Sequence, residues 1–314
     1  MKNSDYSWYL GIKSRLVHIL KEEAPDLVLI SGGPFYNFIL TGKIKRMAAS
    51  RVVLDLRDFW TIGNYDEPQK KSIKGKVSYF LNIFIEGWSF FRADLIIFNT
   101  NSMRSAYLNK YLFIKNKNIV LRNGFSLKKI EEAKSNIKKR NTNNHLRIIC
   151  AGKFFYYYPE KVESFFNLLS EYSIKYKKPV EFIHIGETEE GAKKIACSLG
   201  IYYVEKGLMP YDKVLLEIGA ADLCYAVSRS KNLIVVKILD YLGMEKKIIL
   251  SGPKPEDLND YKIDSMIASM DDMGPEELYR FINSKNKKES YNRVLKSFDR
   301  GEMVLGCYKK IIGK

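Results

Sequence analysis

The chain has 314 residues, enough for about two domains at roughly 150 residues each. Apolar residues at 46% and charged residues at 28% exclude a wholly disordered chain, and Gly 20 with Pro 9 excludes collagen-like sequence. Lysine and arginine number 52 against 36 acidic residues, a net charge of +16 that attracts nucleic acid, anionic lipid or phosphorylated substrates.

In chain order, residues 14–23 read as a helix. An apolar run at 26–31 follows and ends at Gly32, Gly33 and Pro34. Further runs at 51–55, 94–98 and 118–121 accompany a helix over 76–92. Continuous Val/Ile/Leu runs of this length fit strands buried on both faces, hence a parallel sheet of βαβ units. Residues 128–145 are polar and charged and read as an interdomain linker. A second series then begins. It has a strand at 146–150, a helix at 161–175, a strand at 180–185 ending at Gly186, and a helix at 192–199. A strand at 202–204, a helix at 212–220, a strand at 221–226, a helix at 235–242 and a strand at 247–250 complete it. The tail from 275 to 312 reads as helical. The expected architecture is α/β, two Rossmann-like domains facing a cleft, with bounds at 1–140 and 146–314.

The positive charge is uneven. Residues up to His145 hold 25 Lys and Arg against 12 acids, and the remainder is close to balance. No nucleic-acid motif accompanies it, so nucleic acid is not an expected partner. The four cysteines (Cys150, Cys197, Cys224, Cys307) form no C-x-x-C pair, and the three histidines (His18, His145, His184) form no local metal motif. A reducing, cytosolic setting fits. The first residues lack the apolar region of a secretory leader. The most apolar stretch, 78–91, carries Asn82 and Glu86 and is too short to span a bilayer, which needs about 20 apolar residues.

The order of short signatures resembles a known family. Pro25 and Asp26 with the strand to Ser31 are similar to a "pDvi.s" strand. Leu54 to Trp60 is similar to a D-x-R-D-x-W segment. Ala93, Asp94 and Thr100 fit an "ad.vi..t" strand, and Arg122, Asn123 and Gly124 an "NG.d" turn. Gly152 with Lys153 resembles a "GR/GK" turn. Gly207 to Lys213, followed by Ala220 and Asp222, is like "G.vp..e....l..aD", and Lys237 to Leu242 is like a "K..EYla" helix. Together they resemble the retaining GT-B glycosyltransferases of group 1 (family four), over nearly the whole chain.

That resemblance implies transfer of a sugar from a nucleotide diphosphate to a hydroxyl, with retention, during cell-surface polysaccharide synthesis. The acceptor would be a glycan, carried on a polyprenyl diphosphate lipid, at the inner face of the plasma membrane. Charge grows on the leaving diphosphate, so cations must meet it. Lys153 is the catalytic cation, with Lys161 and Lys237 beside it. Asp240 stands at the family's ribose-binding carboxylate, one methylene shorter than the usual glutamate. The family's earlier glutamate falls at Asn232. Asp58 is the acceptor-side carboxylate, a hydrogen-bond acceptor or base, and an Arg57–Asp ion pair is the structural alternative. Gly32, Gly33, Arg57, Asn123, Gly152 and Asn232 line the cleft. Many relatives carry a histidine near Gly32 that this chain lacks. No D-x-D motif is present, so no metal and no cofactor beyond the donor is expected. Lys70, Lys71, Lys74 and Lys76 precede an aromatic-rich helix with Tyr79, Phe80, Phe84, Trp88, Phe90 and Phe91. It fits either docking on an anionic membrane or ordinary core packing around Glu86.

Relatives begin with a strand, a glycine-rich loop and a helix ahead of the point matched by Met1, so the resemblance implies a first domain incomplete at its N-terminus. A shortened product, a subunit completed by a partner chain, and a mis-set start all stay open. Besides an active transferase, the readings are a non-catalytic or partner-dependent subunit and a GT-B-type sugar-nucleotide epimerase.

Overall fold

The computed structural model describes residues 3–48, 50–62, 72–137, 145–261, 263–271, 273–285 and 288–313. They divide into two compact units, residues 1–122 with 304–314, and residues 123–303.

The first unit opens with helix α1 (Asn3–Glu22) and strand β1 (Leu27–Ser31). Helix α2 (Leu40–Met47), β2 (Arg51–Leu56), α3 (Ile73–Arg92), β3 (Leu95–Phe98), α4 (Asn101–Lys110) and β4 (Asn118–Val120) follow. The strands pair in parallel in the order β1-β2-β3-β4. Nearly every residue of β2 and β3 is buried, as a sheet covered on both faces requires. Ser72 and Thr100 cap α3 and α4 by accepting from the backbone N–H three residues on, at 3.0 Å each. Helix α2 was not expected from the sequence, and Gly42 is the reason. A Cβ there would meet the Trp88 ring at 2.2 Å, so the glycine answers a close approach by α3 rather than a break in the helix. Glu86 is fully buried. Its carboxylate accepts from the Thr61 N–H (3.1 Å) and hydroxyl (2.6 Å), Tyr107 (3.1 Å), Tyr111 (3.0 Å) and Lys110 (2.8 Å). This network ties the segment after β2, with Trp60 buried in it, to α3 and α4.

The second unit contains α5 (Leu127–Asn136), β5 (Leu146–Ala151), α6 (Pro159–Tyr176), β6 (Val180–Ile185), α7 (Glu190–Ser198), β7 (Tyr202–Glu205), α8 (Tyr211–Ala220) and β8 (Leu223–Val227). It continues with α9 (Val236–Gly243), β9 (Lys247–Ser251), β10 (Ile267–Ser269), α10 (Pro275–Asn283) and α11 (Lys288–Phe298). A last helix, α12 (Arg300–Ile312), runs from the second unit back into the first. Six parallel strands lie in the order β10-β9-β8-β5-β6-β7. Aromatic rings fill one side of this sheet, with Phe165 stacked on Tyr225 at 3.9 Å between centroids.

Several expectations change here: α1 starts at Asn3 rather than at residue 14, and α4 and β10 were not expected. The expected linker is a helix over its first part, because Ile130 and Ala133 are buried against the second unit and Ser126 caps it. Its apolar stripe is one residue wide and is hidden among lysines in the sequence. The rest of that segment, 138–144, lies outside the described residues. The tail is helical as expected, in three pieces among the described residues. Between α11 and α12 the chain pairs with Phe125, whose N–H donates to the Phe298 carbonyl at 3.1 Å and whose carbonyl accepts from the Arg300 N–H at 3.0 Å.

Candidate functional site

The strand order of the second sheet reverses between β5 and β8. From β5 the chain winds outward through β6 and β7, then returns to lay β8, β9 and β10 on the other side. The loops leaving the two strands therefore diverge at their carboxyl ends, the usual ligand position in an open parallel sheet.

Gly152 and Lys153 leave β5 at this point. Gly152 has φ +76°, which glycine adopts without strain, and its N–H donates to the Ile185 carbonyl at 2.6 Å. Lys237, in the first turn of α9 after β8, reaches across. Its ammonium donates to the Lys153 carbonyl at 2.9 Å and lies 3.9 Å from the Cys150 sulfur. Tyr241, one turn on and buried, accepts from the Ala151 N–H at 2.8 Å. Helix α9 thus braces the end of β5 at two points. Lys153 is half exposed and pairs with Glu187 at 2.9 Å, which pushes its ammonium pKa up. An exposed pair of this kind opens at little cost. Burial pushes the Cys150 thiol up to about 11, against the nearby Lys237 charge, so it is not a nucleophile at neutral pH.

Asp240 lies on the same helix, three residues after Lys237, and accepts from the Tyr211 hydroxyl at 2.6 Å. Burial raises its carboxyl above the ordinary range, partly opposed by Tyr211 and Arg300. The structure thus brings Gly152, Lys153, Lys237 and Asp240 to one end of the sheet. Asn232 sits in the β8–α9 loop, its N–H donating to the Ser230 hydroxyl at 3.1 Å. Lys161, in the first turn of α6, is ion-paired with Asp271.

Two further residues were missed in the sequence. Glu189 turns its carboxylate onto the loop after Lys153 and accepts from the N–H groups of Phe154 (3.0 Å), Phe155 (3.3 Å) and Tyr156 (2.8 Å). Three consecutive donors form an anion-binding nest, here filled from within the chain. His184 is 1% exposed, with both ring nitrogens lacking a hydrogen-bond partner, and lies 3.9 Å from Glu189. Burial lowers its pKa and favours the neutral ring. No sequence motif flags either residue, since both depend on the pairing of distant loops.

In the first unit, Gly32 follows β1 and donates to the Asp55 carbonyl at 2.8 Å, and Gly33 is exposed. Asp55, at the end of β2, accepts from Ser31 (3.1 Å) and Arg57 (2.9 Å), and Arg57 also donates to the Leu121 carbonyl (3.0 Å). Arg57 is therefore part of an ion pair that clamps the ends of β1, β2 and β4. Asp58 is exposed just beyond it. Asn123 is half-buried at the start of the second unit. Among the described residues, no group of three or more His, Cys, Asp or Glu side chains is placed to hold a metal ion.

A scan against family models and a search of curated proteins both return no match. Solved structures do match. The chain is similar to α,α-trehalose-6-phosphate synthase from Burkholderia multivorans, with TM-score 0.69, 10% identity, and coverage of 100% of this chain and 76% of that one. It is similar to the Anabaena protein HepE in complex with UDP, with TM-score 0.68, 14% identity and coverage of 96% and 82%. It is also similar to a proposed UDP-N-acetylglucosamine 2-epimerase from Listeria monocytogenes, with TM-score 0.57, 12% identity and coverage of 98% and 80%. At these identities the likeness establishes a fold shared by proteins of different described activities. That fold is the expected one: an α/β chain with two Rossmann-like domains of the GT-B class.

Proposed function

We propose that the protein is a glycosyltransferase that moves a hexosyl or N-acetylhexosaminyl group from a nucleoside-diphosphate sugar to a hydroxyl of a lipid-linked glycan. The convergence of Lys237 on the Gly152–Lys153 turn, where the strand order reverses, carries this reading. Lys237 and Lys153 would neutralise the diphosphate as the bond to the anomeric carbon breaks and negative charge passes to the leaving phosphate. Asp240 would accept from the ribose hydroxyls, exchanging its bond from Tyr211. Asp58 would meet the acceptor. Under the resemblance to group 1 (family four) enzymes, attack comes from the face of the departing phosphate. The configuration is then retained, the phosphate oxygen takes the acceptor proton, and no protein base is required. The setting would be cell-surface polysaccharide synthesis, capsule or lipopolysaccharide, on the cytoplasmic side.

HepE is described in complex with UDP, so UDP is the first nucleotide to test, with GDP and ADP beside it. At ligand about 100 times Kd, binding adds roughly 2.7 kcal/mol and raises Tm by about 5–10 °C for a domain of this size. A rise with one nucleotide that is lost in Lys237→Ala and Asp240→Ala, followed by sugar transfer to a lipid-linked acceptor, supports the reading. A folded protein that responds to none of them overturns it.

The likeness to a proposed epimerase favours a second reading, isomerisation of the sugar nucleotide itself. It predicts turnover of donor with no acceptor present. A subunit that binds nucleotide but turns over only beside a partner chain would show the thermal shift without either activity.

A further inference from the structure

Helix α3 exposes an apolar face as well as burying one side. Its inner face carries the buried residues Glu86, Ser89 and Phe90. Its outer face exposes large apolar side chains: Ile73 (83% exposed), Val77 (55%), Phe80 (66%), Leu81 (56%), Phe84 (72%) and Phe91 (65%). At 3.6 residues per turn these six fall within about 100° of arc; Trp88, in the same arc, is half-buried against Gly42 of α2 and separates Phe91 from the rest. The stripe turns a corner at its far end. Phe91 packs edge-on against Phe113 at 6.1 Å between centroids, and Leu112 beside it is 79% exposed.

Among the described residues the charges around this stripe are mostly positive; Asp94, just past the helix, is paired with Lys45. The helix's acidic residue, Glu86, is buried and paired with Lys110, so every charge α3 presents to solvent is positive. By helical position Lys74 and Arg92 flank one side of the stripe and Lys76 the other. Lys117, at the corner, 5.8 Å from the Phe91 ring and 5.9 Å from Phe113, donates to the Phe91 and Ala93 carbonyls (2.8 and 2.9 Å) and fixes this corner, and Lys115 nearby in sequence is exposed. The whole first unit carries 22 lysines and arginines against 10 acids. Lys70 and Lys71 lie outside the described residues.

We propose that this outer face of α3, with the Leu112–Phe113 corner, docks on an anionic phospholipid bilayer. Apolar side chains enter the boundary between headgroups and acyl chains, while the flanking cations meet lipid phosphates. A second copy of the chain fits less well, because a twofold contact would set this patch against itself and bring its cations together. Among the described residues no helix is long and apolar enough to cross a membrane, so the contact lies on the surface. The proposal does not depend on the donor-site reading of Lys153, Lys237 and Asp240, which lie in the other unit.

The test is co-sedimentation of the full chain with phosphatidylcholine vesicles, with or without about 30% phosphatidylglycerol. The expected result is binding to the anionic vesicles, weakened by salt and weak on neutral ones. Phe80→Ser with Phe84→Ser should lower the affinity more than tenfold, and Lys74→Gln or Lys76→Gln about fivefold each. The substituted side chains are exposed, and an unchanged melting temperature establishes that the variants fold. Absence of wild-type binding to anionic vesicles overturns the proposal, as does a double variant that binds like wild type. A dimer dispersed by the same substitutions, with no vesicle binding, assigns the face to a second copy and also overturns it.

Discussion

The ammonium of Lys237 donates to the carbonyl of Lys153, 84 residues earlier, at 2.9 Å. This contact holds a cation over the Gly152 turn before any ligand arrives, so its charge is positioned in advance. Lys237→Met keeps most of the side-chain volume and removes the charge. The expected outcome is a loss of nucleoside-diphosphate affinity of at least about tenfold, with a much smaller effect on the nucleoside alone, measured by titration calorimetry.

Glu189 should be a positioning residue for the same loop. Glu189→Ala leaves the N–H groups of Phe154, Phe155 and Tyr156 without their acceptor. A cost of about 2–3 kcal/mol and faster amide exchange at residues 154–156 are expected. Glu189→Gln retains an acceptor oxygen and should recover part of both. A variant with unchanged exchange in this loop would sink the assignment.

Asp240 is held above its ordinary pKa of 3.8, chiefly by burial. The folded state therefore keeps this proton longer than the unfolded state does. The group's contribution is most favourable below about pH 3.8 and is lost as pH rises through the folded value. At neutral pH Asp240→Asn should melt above wild type, and the gap should close on acidification. The same variant should bind nucleotide more weakly, which separates a functional carboxylate from an idle one.

His184 has the opposite sign. Burial depresses its pKa below 6.5, so below that pH the unfolded state takes up the proton first. Stability should fall as pH drops below about 6.5, with Glu189 and Glu205 partly opposing the loss and Lys237 adding to it. Urea titrations between pH 5 and 7 should show a shallower pH dependence in His184→Leu than in wild type. Parallel curves would mean that other groups govern this range.

Glu86→Ala should be the most damaging of these changes. It strips the shared acceptor from Thr61, Tyr107, Tyr111 and Lys110 inside the first unit. A loss of about 3–5 kcal/mol is expected, measured by chemical denaturation. A cost below about 1 kcal/mol would mean that water replaces the carboxylate.

Most strands of both sheets were legible because continuous Val, Ile and Leu runs have few other uses in a chain of this composition; the short edge strand β10 was not, having three residues and no such run. The Gly152–Lys153 turn and the Lys237–Asp240 helix were legible as short local patterns. Helix α2 was not, since its glycine answers to Trp88, more than 40 residues away. Helix α5 was not, because a stripe of two or three apolar residues among lysines carries little periodicity. Glu86 read as a charge in a core-packed helix, with a membrane-facing helix as the alternative. Tertiary structure decided that it faces inward, and that Phe80 and Phe84 face out. It also put Arg57 in an ion pair with Asp55 and Lys161 in one with Asp271. Sequence by itself determined most of the strands, the longer helices and the α/β class, because burial period and turn chemistry act over a few residues. Which charges meet, which are spent within the chain and which remain for a ligand depend on pairings across tens of residues. Only the folded sheet order sets those.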